Sequence, residues 1–173
     1  MAVALAEVVG RVVGGTRRRV LSQPMLAPLL RQRRHNAVQR HQSALPQLDA
    51  AGKQILAALE QEAVCHTDAA ALGMDGLLAS RELAEAGVLL QQMVDAHPGT
   101  SIVRLPRSIA AHRALYLAGL APRITEVVEN YVRLPPVYLG VEFKVERADG
   151  REETVRRWHC DVEDERMVKL LVY

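Results

Sequence analysis

Residues 137–161 read V-Y-L-G-V-E-F-K-V-E-R-A-D-G-R-E-E-T-V-R-R-W-H-C-D, and this stretch decides the fold class. Its first ten residues set Val137, Leu139, Val141, Phe143 and Val145 in alternation with Tyr138, Gly140, Glu142, Lys144 and Glu146. A period of two predicts a strand over 137–146 with one buried face. Ala148-Asp149-Gly150 predicts a turn, because glycine takes positive φ at no steric cost. The chain then returns through Thr154 to Asp161, so residues 137–146 and 151–161 are expected to pair as an antiparallel hairpin. Just upstream, Leu134-Pro135-Pro136 enforces extended backbone. Downstream, residues 162–165 form an acidic connection and Met167–Tyr173 a third strand, whose unprotected edge invites self-association.

Further upstream the period changes to one near 3.6. Leu48, Ala51, Ile55, Leu59 and Ala63 predict a helix over 47–64. Ser80 is suited to cap a second helix that runs to His97, where Pro98-Gly99 stops it. Its apolar stripe is Leu83, Ala86 or Gly87, Leu90 and Val94. A third helix is expected from Ser108 to Gly119. A fourth starts at Pro122, a residue suited to a first helical turn, and carries Ile124, Val127, Val128 and Tyr131. The expected class is α+β, with a basic, poorly packed extension over 1–45, a helical region over 46–134 and strands over 135–173.

Composition narrows the function classes. Of 173 residues, 49% are hydrophobic and 24% charged, which excludes a wholly disordered or collagen-like chain. No window reaches the roughly 18 uninterrupted apolar residues of a membrane span. Two cysteines, Cys65 and Cys160, make no disulfide framework, and with no secretory signal visible a cytoplasmic setting is expected. All six aromatic residues lie after position 115. Between Glu7 and Asp49 no acidic residue occurs, while Arg11, Arg17, Arg18, Arg19, Arg31, Arg33, Arg34 and Arg40 all fall there. Such a run suits nucleic acid, anionic lipid or a transit segment. It lacks an aromatic for base stacking, and Pro24 and Pro28 interrupt a long helix, so a solvated basic arm with no nucleic-acid partner is the expectation. No phosphate-loop, dinucleotide or nucleophile-elbow motif occurs, and Cys65-His66 has no partner pair at zinc spacing.

Trp158-His159-Cys160-Asp161 is the pattern with the most chemistry in it. On a strand, residues two apart project to one face, so His159 and Asp161 converge while Cys160 points away. An imidazole and a carboxylate so placed supply two legs of the facial triad that holds non-haem Fe(II). The plainer reading is a surface histidine and aspartate sharing a hydrogen bond.

The stretch L-P-P-V-Y-L-G-V-E-F-K-V-E-R, followed by R-R-W-H-C-D-V-E-D-E-R-M-V-K-L-L-V-Y, resembles the phytanoyl-CoA dioxygenase-like branch of the Fe(II)/2-oxoglutarate-dependent oxygenases. The helix I-T-E-V-V-E-N-Y-V before it fits the same pattern, so the resemblance covers residues 122–173. It implies a double-stranded β-helix (a jelly roll) preceded by helices. It also implies His159 and Asp161 as metal ligands, with Fe(II), O2 and 2-oxoglutarate used to hydroxylate a small-molecule substrate. The family further employs a distal His and an Arg that anchors 2-oxoglutarate. No His follows Asp161 in these residues, and Arg166 lies too near it for that role. Three strands cannot close a β-helix of about eight. The chain is therefore expected to be the N-terminal part of such an oxygenase and not to turn over 2-oxoglutarate by itself. The alternative is a non-catalytic helical interaction module with a basic N-terminal arm. Metal dependence separates the two.

Overall fold

The computed structural model describes residues 24–105, 113–151 and 166–173. These fall into two compact units, residues 24–44 in one and those from Leu45 onward in the other.

In the first unit, a 3-10 turn at Pro24–Leu26 leads into helix α1, Ala27–His41, and Gln42–Ala44 closes it with another. Pro28, expected to interrupt a helix, sits in the first turn of this one. There its missing N–H breaks no hydrogen bond and its fixed φ already suits the helix. No residue of α1 is buried.

The second unit is built on helices whose ends the sequence marks chemically. Helix α2 spans Ala50–Glu62, and Asp49 caps it by accepting the Gly52 N–H at 2.8 Å. Helix α3 is a single turn at Asp75–Leu78. Helix α4 spans Arg81–Ala96, with the Ser80 hydroxyl accepting the Leu83 N–H at 3.2 Å. Such caps satisfy backbone donors that have no partner inside the helix. Helix α5 is described over Arg113–Ala118, and its Ala114 N–H donates to Glu82 of α4 at 2.8 Å. Helix α6 runs Pro122–Val132 and ends at Arg133, whose φ is 60°. The Ser108 start expected for α5 lies outside the described residues.

Two apolar clusters form the core. Ile55, Leu72, Met74, Ile124 and Val127 join α2 to α6, while Ala86, Leu105 and Leu115 join α4 to α5. Burying one such aliphatic side chain is worth about 1.5–3 kcal/mol. Polar ties supplement the first cluster, since Arg123 donates to Ala71 O at 2.9 Å and pairs with Asp49, and Asn130 donates to Pro46 O at 3.0 Å.

Among the described residues the fold is therefore mixed helix and sheet, and the sheet has two antiparallel strands. Strand β1, Ile102–Arg104, pairs with β2, Lys144–Glu146, in the register Val103 opposite Val145. This departs from the expected strand over 137–146. Only its last three residues before Arg147 are laddered, and their partner is Ile102–Arg104, a run flanked by Gly99 and Pro106. The expected partner, residues 151–161, lies outside the described residues apart from Arg151, which carries no ladder. Residues 167–173 are not in a strand either.

The buried face also differs from expectation. Val137 and Leu139 are 82% and 64% exposed, and Tyr138 between them is half-buried. Beyond Gly140 the odd-numbered residues Val141, Phe143 and Val145 turn inward. Gly140 has a φ of 114°, a conformation open in practice to glycine alone. One such residue changes which side chains share a face, so the period-two pattern is correct on each side of Gly140 but out of phase across it.

Candidate functional site

The site residues His159 and Asp161, with Trp158 and Cys160, lie outside the described residues. What the structure describes is the chain that leads to them. Tyr138 sits edge-on to Tyr116, with ring centroids 5.3 Å apart and planes at 70°. Its hydroxyl donates to Tyr116 O at 2.7 Å. Burial, and secondarily the neighbouring Tyr116, push the Tyr138 phenol above its ordinary pKa of 10.0. Gly119 makes room for this ring, because a Cβ there would lie 2.6 Å from Tyr138 Cε2.

Past β2 the chain bends at Asp149, and Gly150 takes the positive φ expected of it, 72°. The bend's position is set by Ser101, which is buried and donates to Asp149 Oδ2 at 2.6 Å. Arg151 donates to Gly99 O at 3.2 Å and pairs with Asp149 at 3.8 Å. These contacts fix the chain at the point where it enters 152–161. Asp149-Gly150 was a readable signal of the bend, whereas Ser101, forty-eight residues away, carried none.

Downstream of Asp161, Arg166 donates to Tyr131 O at 2.6 Å and its guanidinium lies 4.8 Å from the centre of the Tyr131 ring. The aromatic face and the α6 terminus thus hold Arg166 by cation–π attraction and hydrogen bonding. Lys169, three residues further on, is exposed.

A cleft of about 360 Å³ lies where Asp49, Leu72 and Gly73 meet Pro122, Arg123 and Glu126. Arg123 spends its donors on Ala71 O and Asp49, and Asp49 also caps α2. Arg123 and Asp49 thus tie the cleft's walls together, and no histidine, cysteine or serine lines it. Among the described residues, no group of three or more His, Cys, Asp or Glu converges to hold a metal, and no helix is long and apolar enough to cross a membrane. Compared with protein-family models, with curated proteins and with solved structures, the chain finds no match.

Proposed function

We propose that residues 122–173 belong to an Fe(II)/2-oxoglutarate-dependent oxygenase acting on a small molecule, with β2 as an early strand of its jelly-roll sheet. The observation that carries this reading is the run Trp158-His159-Cys160-Asp161 within a stretch that resembles the phytanoyl-CoA dioxygenase-like branch. His159 would bind through a neutral imidazole nitrogen and Asp161 through a carboxylate oxygen, a donor pair suited to ferrous iron. When bound, iron supplies the oxidative chemistry. This chain's part is to present two ligands from one short segment and to keep that segment in place. The Ser101–Asp149–Arg151 contacts brace the chain before it, and Arg166 on Tyr131 braces the chain after it. Two donors are one short of the facial triad, and Arg166, held on Tyr131, lies too near Asp161 in sequence to anchor 2-oxoglutarate. The donor set therefore does not make a complete site.

Cobalt(II) as a spectroscopic substitute for Fe(II) tests the reading. The chain should bind it, and His159→Ala and Asp161→Ala should each weaken binding at least about tenfold, the loss typical of removing a metal-site contact. Binding indifferent to both substitutions would sink the assignment. A parallel assay follows succinate formation from 2-oxoglutarate with Fe(II) and ascorbate. With two of the three ligands of a facial triad, the 173-residue chain should form no more succinate than its His159→Ala variant.

A further inference from the structure

The acid-free basic run was expected to be a loose arm because prolines would interrupt it, yet Ala27–His41 is a continuous helix with no buried residue. The side chains of α1 sort into two faces. Leu30, Arg34, Ala37, Val38 and His41 are half-buried. The opposite face is exposed, and at about 100° per residue its centre is Gln32, Asn36 and Gln39. Arg31 and His35 occupy one flank of that centre, Arg33 and Arg40 the other. None of Arg31, Arg33 and Arg40 forms an ion pair among the described residues. No carboxylate occurs in sequence between Glu7 and Asp49 to neutralise them.

From this arrangement we infer that α1 docks in the major groove of duplex DNA. Amides in the centre of a helix face, with cations on both flanks, match a groove whose floor carries hydrogen-bonding base edges and whose two walls carry phosphates. Gln32 and Asn36 already share a side-chain hydrogen bond of 2.9 Å, which orders two of the central amides. An α-helix with its side chains is about 10–12 Å across and the B-form major groove about 12 Å wide, so the fit is steric as well as electrostatic. An A-form RNA duplex offers only a deep, narrow groove. A membrane surface would require the exposed face to be apolar. Its one large apolar side chain is Leu29, near the N-terminal end, with Met25 in the preceding turn. The missing aromatic counts against single strands, which are gripped by stacking, and does not count against a duplex. This inference uses no residue beyond position 44 and is independent of the oxygenase reading.

The test is fluorescence anisotropy of a labelled 20-base-pair DNA duplex with the full chain, between 50 and 200 mM salt. Each phosphate contact contributes about −0.9 to the slope of log affinity against log salt, so three arginines imply at least about a forty-fold loss over that range. Arg31→Gln/Arg33→Gln/Arg40→Gln should reduce the slope by about 2.7. The corresponding triple lysine variant, which keeps the charge, should retain the slope and so report that the helix still folds. Absence of binding at 50 mM salt would overturn the inference, as would an unchanged slope in the glutamine variant. Equal affinity for an A-form RNA duplex, or for vesicles rich in phosphatidylserine, would overturn it too.

Discussion

Helix α4 and the extended stretch 134–147 are both strongly patterned, yet one behaves as its pattern says and the other does not. In α4 the cap at Ser80, the buried Ala86 and Val94, and the stop at Pro98-Gly99 all follow from neighbours within one or two turns. In 134–147 the alternation is real, but its phase reverses at Gly140 and its ladder is with a segment some forty residues away. The difference teaches where sequence patterns carry weight. A helix closes its hydrogen bonds on itself, so local signals determine it. A strand satisfies its backbone on another strand, and the pattern says nothing of which one.

Four substitutions would break or sharpen this contrast. The largest effect is expected where helices pack. Leu115 is 1% exposed, and Leu115→Ala should cost about 2–5 kcal/mol in urea unfolding, because its neighbours cannot fully close the cavity. A loss below 1 kcal/mol would mean that the α4–α5 cluster is not a true core. Gly140→Ala should cost about 1–3 kcal/mol, since alanine at that φ is strained. Its added Cβ would also meet the Tyr116 ring at 3.4 Å. A neutral outcome would show that the phase reversal is not fixed by Gly140.

Smaller losses are expected at the polar ties. Asp49→Ala removes the α2 cap and the partner of Arg123, and calorimetry should show about 1 kcal/mol. The cap dominates, because the ion pair is largely solvated. Tyr138→Phe removes one hydrogen bond and should cost less, about 0.5–1 kcal/mol near neutral pH. Its pH dependence is the sharper readout. A phenol whose folded pKa is raised binds its proton more tightly folded than unfolded. That stability is complete below the ordinary value of 10.0 and is lost as pH rises through the raised one. The wild type should lose stability over that alkaline window relative to the phenylalanine variant. Parallel curves would separate Tyr138 from the alkaline transition.

The candidate site divides in the same way. His159 and Asp161 stand out in the sequence because a His-x-Asp pair is read from two neighbouring positions, whereas both lie outside the described residues. The bracing at Ser101 was not legible, since a serine in Gly99-Thr100-Ser101 has no local mark of a partner at Asp149. Strand β1 was more accessible than it looked. Ile102-Val103 between Gly99 and Pro106 is a short β-branched run bounded by turn residues.

The sequence by itself determined the Ser80 cap and the span of α4, the start of α6 at Pro122, the apolar stripe of α2, the positive φ at Gly150, and the charge of α1, because each depends on residues within a few positions. Tertiary structure alone decided that β2 pairs with Ile102–Arg104 and that Val137 and Leu139 face outward. Those outcomes turn on which distant groups satisfy the backbone and which face finds apolar neighbours, and such choices are made by the whole packed unit.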